Sequence, residues 1–154
     1  MMLNFLDTHD TPRFITEIGG SKDKLLAALT LSVVYMGANS LYYGTEVGLE
    51  GGGDPDCRRT FPWENLEENK TYIEKVKEIL AIKNHQTIKN GKIKIYSHKD
   101  LLLLERFDQE KTLGLAINLG RQKDFALADE NILLSNNYSN QSLGEASFVV
   151  WEKY

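Results

Sequence analysis

Cysteine is almost absent from the 154-residue chain. Cys57 stands alone, so no internal disulfide can form, and the usage suits a reducing, cytoplasmic setting. Three prolines and twelve glycines exclude a collagen-like chain. With 42% hydrophobic and 26% charged residues the chain is not disordered either. Charge of one sign is also missing: 18 basic side chains against 22 acidic ones give a net charge of −4, with no run of five like charges. Nothing here would condense on a phosphate backbone or an anionic lipid surface, so neither nucleic acid nor a membrane is an expected partner. No stretch approaches the roughly 18 apolar residues of a membrane span. The opening Met1–Leu6 has no basic segment and no small-residue cleavage site, and reads as a strand that begins abruptly rather than a signal peptide. A soluble globule of one domain, or two small ones, remains.

The first seventy residues read as strand, helix, strand, helix. An apolar run at 2–6 leads into a polar turn from Asp7 to Arg13. Ser21 is the expected N-cap of a helix over about 22–36, where Leu25, Leu26, Ala28, Leu29, Val33 and Met36 recur at helical spacing before Gly37, a left-handed stop. A second strand is expected at Ser40–Tyr43, and the 20 residues from Thr45 to Glu64 form a connection long enough to suggest function. A second helix over about 68–84 sets Tyr72, Val76, Ile79, Leu80 and Lys83 on one face.

After Asn90-Gly91 the period changes to two, in Lys92–Ile95 and in Leu113, Leu115, Ile117 and Leu119, with compact apolar runs at Leu101–Leu104 and Phe148–Trp151. Turn-rich stretches at Asp108–Lys111, Gly120–Lys123 and Asn136–Asn140 separate them. Residues 91–154 are therefore expected to form five to seven short antiparallel strands, most simply a small β-sandwich. Two parallel strands joined by a right-handed crossover cannot close a barrel or cover both faces of a sheet. The α/β part therefore reads as a piece of something larger, and its unpaired edges predict a homo-oligomer.

Two constellations carry chemistry. In Asp7-Thr8-His9-Asp10-Thr11-Pro12-Arg13, two carboxylates, an imidazole and a guanidinium follow a strand's C-terminal end, where α/β folds place their sites. The same residues would also serve as a polar turn whose side chains cap the next segment. His9, His85 and His98 match no metal-ligand spacing. The second constellation, Gly48 to Trp63, has glycines but lacks the Lys-Ser/Thr of a phosphate-binding loop and the remainder of a calcium loop. Acids, arginines and the aromatics Phe61 and Trp63 remain, a combination that binds sugars by hydroxyl hydrogen bonds and ring stacking. Equally, the two rings could pack the loop onto its scaffold. Cys57 has no His nearby in sequence and reads as a small packed side chain rather than a nucleophile.

Taken together, Asn4-Phe5-Leu6-Asp7-Thr8-His9-Asp10-Thr11-Pro12-Arg13, Leu41-Tyr42-Tyr43-Gly44-Thr45-Glu46-Val47-Gly48 and Asp54-Pro55-Asp56-Cys57-Arg58-Arg59-Thr60-Phe61-Pro62-Trp63 resemble the α-amylase family of glycoside hydrolases, in its neopullulanase, cyclomaltodextrinase and maltogenic amylase group. The resemblance implies an α/β plus all-β chain: residues 1–88 as the last quarter of a (β/α)8 TIM barrel, its seventh and eighth units, and 91–154 as an antiparallel C-terminal domain. It implies that Asp10 is the carboxylate that stabilises the oxocarbenium-like transition state, that His9 bonds the same sugar ring, and that Asp54 and Arg58 contact substrate beyond it. The sequence departs from the family pattern at Ala38, Asn39 and Thr45, where relatives carry Ile, Pro and Asp. No cofactor is implied, and the calcium of the full-length family has no site identified here. A retaining glycosidase needs a nucleophile and a general acid about 5–5.5 Å apart, and in this family both come from earlier barrel strands. The expected function is thus the C-terminal part of an α-glucan hydrolase acting on α-1,4 and α-1,6 bonds, inactive alone. The alternative is a non-catalytic carbohydrate-binding or assembly module.

Overall fold

In a computed structural model, residues 2–127 and 130–154 are described; Met1, of the opening Met1–Leu6 segment, lies outside them. Strand β1 (Leu3–Asn4) leads through the short helix α1 (Phe14–Glu17) to α2 (Lys22–Val34), and the chain returns parallel to β1 as β2 (Ala38–Asn39). The Ser21 hydroxyl accepts the Lys24 N–H at 3.3 Å, the expected N-cap. The helix is buried broadly, at Leu25, Leu26, Ala27, Leu29, Thr30, Val33 and Val34, so more than one side of it faces protein. It ends at Val34, two residues earlier than its periodicity suggests. Gly37, at φ +110°, makes the turn into β2, and a Cβ there would lie 2.7 Å from the Met2 carbonyl. Asn4 and Asn39, register partners in the two strands, both donate to the Ser32 carbonyl in the last turn of α2, at 3.3 and 2.7 Å, and Asn4 Nδ2 also donates to the Met36 carbonyl just beyond it at 2.8 Å.

The second strand therefore lies at 38–39 and not at the expected Ser40–Tyr43. The ladder closes with Ser40 N–H on the Asn4 carbonyl at 2.8 Å, after which the aromatic pair turns away to pack on a buried cation. The long connection is built from three one-turn 3₁₀ segments at Thr45–Val47, Asp56–Arg58 and Trp63–Asn65, and precedes α3 (Lys70–Ile82), which buries Tyr72, Val76 and Ile79. Lys83, on the expected apolar face, reaches across to the end of α2 and donates to the Val33 and Gly37 carbonyls at 3.1 and 2.7 Å. A cation there satisfies carbonyls that a helix end leaves without partners. Helix α4 (Gln86–Asn90), not anticipated from the sequence, is capped by His85, whose ring accepts the Thr87 N–H.

Beyond Gly91 come β3 (Lys92–His98), β4 (Leu101–Phe107), β5 (Thr112–Asn118), β6 (Lys123–Asp124), β7 (Asn131–Ser139) and β8 (Ser142–Lys153). All pair antiparallel in one hydrogen-bonded sheet of order β3-β4-β5-β8-β6, with β7 also against β8. The strand count matches the expectation, whereas the expected two-sheet sandwich is here a single continuous sheet. The 12-residue β8 serves as its spine, pairing β5 along Ser147–Lys153, β6 at Ser142–Leu143, and β7 over most of its length. One face carries Leu104, Leu115, Phe148 and Val150 into the same apolar cluster as α2 and α3; the other gathers Leu101, Leu103, Ala116, Leu143, Val149 and Trp151. The larger core thus runs continuously across residue 91.

Candidate functional site

The turn after β1 divides into a buried half and an exposed half. Asp7 and Arg13 are buried, at 4% and 0% exposure. Asp7 Oδ1 accepts the Phe14 N–H at 2.7 Å, and its Oδ2 accepts the Thr45 hydroxyl. Arg13 donates through Nε to the Cys57 carbonyl and through Nη1 to the Tyr43 carbonyl, both at 2.7 Å, with the Tyr42 and Tyr43 rings 4.4 and 4.8 Å from its guanidinium carbon. The Asp7 carboxylate lies 3.9 Å away. The main-chain N–H of Arg13 adds a bond to the Gly51 carbonyl at 2.9 Å. A desolvated charge is tolerated when it is paired and multiply bonded, and here one guanidinium ties the turn to both later loops. Thr45, a departure from the family pattern, is accounted for by the hydroxyl it gives Asp7. Nearby, burial pushes the Tyr72 phenol well above its ordinary range, with the Asp7 and Glu46 charges adding to it, so it remains a donor, bonding the Thr45 carbonyl at 3.2 Å.

His9 and Asp10, by contrast, stand at the surface with side chains 64% and 69% exposed, His9 Nε2 lying 3.2 Å from Asp10 Oδ2. The Thr8 hydroxyl accepts the Asp10 N–H at 3.2 Å and bonds Thr11 at 3.1 Å, which holds the tip of the turn. The second constellation is fastened to this tip. Arg58 Nε and Cys57 Sγ both donate to the His9 carbonyl, at 2.9 and 3.2 Å, and Arg58 Nη2 pairs with Asp54 at 2.7 Å. The four residues singled out from the sequence, His9, Asp10, Asp54 and Arg58, therefore share one surface. Cys57 is fully buried, a packed side chain as expected.

A second acid–arginine pair was not singled out. Arg59 grips Asp56 through Nε and Nη2 at 2.7 and 2.8 Å, and Asp56 also accepts the Gly52 N–H at 2.6 Å. These bonds, Arg59 first, hold the Asp56 carboxyl below its usual range. The interleaved spacing of Asp54 with Arg58 and Asp56 with Arg59 was the available clue. Tyr43 donates its hydroxyl to the Arg59 carbonyl at 2.9 Å, closing the loop onto the second strand's exit. Chemically, the surface offers an imidazole, a guanidinium and several carboxylate oxygens on a rigid frame, a set suited to hydroxyl recognition. Among the described residues no group of three or more His, Cys, Asp or Glu could hold a metal ion, and no helix is long and apolar enough to cross a membrane.

No family model matches the sequence. Among curated proteins, the chain is 34% identical over 129 residues to neopullulanase 2 of Thermoactinomyces vulgaris, covering 80% of this chain and 22% of that protein. It is 32% identical over 119 residues to a cyclomaltodextrinase of Geobacillus thermopakistaniensis (strain MAS1), covering 75% and 20%. Among solved structures, the maltogenic amylase from S. marinus shares the fold at a TM-score of 0.82 and 24% identity, over 97% of this chain and 22% of that one. The chain belongs to the α-amylase family of glycoside hydrolases. Within it, the similarity is to the neopullulanase, cyclomaltodextrinase and maltogenic amylase group, and the chain spans about a fifth of the length of the curated relatives just described.

Proposed function

We propose that this chain supplies the transition-state-stabilising part of a retaining α-glucan hydrolase, with the nucleophile and general acid on segments outside it. In this reading β1, α2, β2 and α3 are the last quarter of a (β/α)8 barrel within residues 1–88, and 91–154 is the C-terminal domain. Asp10, at the C-terminal end of a parallel strand where barrel enzymes carry their chemistry, faces the hydroxyls of the reacting sugar. His9 donates to the same ring. Hydrogen bonds to the 2-hydroxyl strengthen as the ring flattens toward the oxocarbenium ion, so a fixed carboxylate and imidazole there bind the transition state more tightly than the ground state. Asp54 and Arg58 hold neighbouring sugar units. The observation that carries the reading is the fastening of Arg58 to the His9 carbonyl, which makes one surface of two sequence blocks 49 residues apart.

The test joins this chain to the upstream part of neopullulanase 2. The 154 residues alone are expected to hydrolyse neither maltooligosaccharides nor cyclodextrins at any pH, and the joined protein to hydrolyse both. Hydrolysis by the isolated chain contradicts the division of labour. Maltooligosaccharide binding by a folded joined protein that stays inactive points instead to a non-catalytic carbohydrate-binding module.

A further inference from the structure

Trp63 is 72% exposed, the most open large apolar side chain among the described residues apart from the terminal Tyr154. A tryptophan left in water forgoes the burial of roughly 150–250 Å² that makes this residue a core or interface anchor. Yet Trp63 is held firmly. Phe61 supports its ring at a centroid distance of 4.6 Å and a tilt of 51°, its N–H bonds the Phe61 carbonyl at 3.0 Å, and Asn65 N–H bonds the Pro62 carbonyl at 3.1 Å in the turn that follows. Pro62 between the two rings restricts the backbone further. The sequence alone left open whether these aromatics pack the loop onto its scaffold; Phe61 is half-buried and lies against Trp63, while Trp63 is exposed.

We infer that Trp63, backed by Phe61, is a stacking platform for a pyranose ring of an α-glucan, forming an outer subsite continuous with Asp54 and Arg58. A sugar ring presents an apolar C–H face and a rim of hydroxyls, so it fits an aromatic plane surrounded by hydrogen-bonding groups. That is the composition here: Arg58, Arg59, Thr60 and Glu64 flank the ring in sequence, and the apolar grooves beside α2 are lined by other residues. Trp63 lies five positions after Arg58, a reach of at most about 17 Å of extended chain, so one oligosaccharide can engage both. The inference rests on the proposed function and deepens it.

The 154-residue chain has two tryptophans, and Trp151 is buried, so two indole N–H resonances of the 15N-labelled protein separate the platform from the core. Titration with maltohexaose into the millimolar range is expected to shift the Trp63 indole together with the Arg58 Nε–H and the Asp10 amide, and to leave Trp151 in place. Trp63→Ala weakens binding about tenfold, the scale of one well-packed contact, and Trp63→Phe weakens it less. Responses at Arg58 and Asp10 with a still Trp63 overturn the platform and leave the site standing. A response at Trp63 alone sustains the platform and overturns the site. No response anywhere overturns both. A Trp63 shift that follows protein concentration and ignores sugar marks a chain-to-chain contact and overturns the platform.

Discussion

Arg13 does the work of a core residue with the chemistry of a surface one. Its guanidinium reaches carbonyls 30 and 44 residues away in sequence and is covered by two tyrosine rings. Removing one partner of a buried, bonded charge pair typically costs about 3–5 kcal/mol, so Arg13→Ala should lower the unfolding free energy by that scale, read as a lower urea midpoint at unchanged slope, and a loss below about 0.5 kcal/mol would place the cation outside the folding core. The exposed half of the same turn behaves oppositely: Asp10→Asn should leave the midpoint nearly unchanged, because its side chain is exposed and pairs with the equally exposed His9. The sequence showed that acids, arginines and an imidazole cluster at this turn and in the long loop, and the four chosen residues do meet. It did not show which charges go inside, because the acceptors that bury Arg13 belong to Tyr43 and Cys57, whose positions depend on tertiary packing.

Among the elements, β5 and β8 depend on Gly114, where a Cβ would sit 2.2 Å from two atoms of the Trp151 ring. Gly114→Ala must push the indole aside, and a destabilisation of about 1–3 kcal/mol is expected by chemical denaturation, the usual cost of overfilling a packed face. The junction of α4 with the sheet is set by acid. Glu152 accepts from His85 Nε2 at 3.2 Å and from Asn131 at 3.1 Å, and these bonds, His85 first, hold its carboxyl below the usual range. A carboxyl whose folded value is depressed contributes stability that is fully present above its ordinary pKa and is lost as pH falls through the depressed one. The melting temperature should therefore decline below the ordinary glutamate range, and Glu152→Gln should flatten that decline; identical acid limbs would show that the contact does not matter. Helices α2 and α3 were legible because a long 3.6-residue period survives local detail. Strand β7 was not: bulges at Ile132/Leu134 and Asn136/Tyr138 break its alternation, and Asn136 and Asn137 read as turn residues although their side chains bond Asp23 at the start of α2.

At the scale of the whole molecule, the two-stranded parallel sheet stands beside a groove of about 540 Å³ lined by Leu3, Phe5, Leu6, Ala28, Leu31 and Ile95, with Leu3, Phe5 and Ile95 themselves exposed. Apolar surface of this kind beside short, open strand edges favours association. Sedimentation of the isolated chain should show a dimer or larger species at micromolar concentration, and a monomer throughout that range would contradict it. The parallel pairing of the first two strands was legible from the strand–helix–strand order; the single curled path of the later sheet was not, since alternation fixes which residues face inward but not which strands pair. The central claim, that Asp10 stabilises the transition state while Asp54 and Arg58 hold the substrate, is tested most directly by steady-state kinetics on maltohexaose with this chain joined to the upstream part of neopullulanase 2. Asp10→Asn should lower kcat by roughly 10²–10³-fold, the scale of losing one transition-state contact, whereas Asp54→Ala and Arg58→Ala should chiefly raise KM. Full turnover by the Asp10→Asn protein would contradict the account.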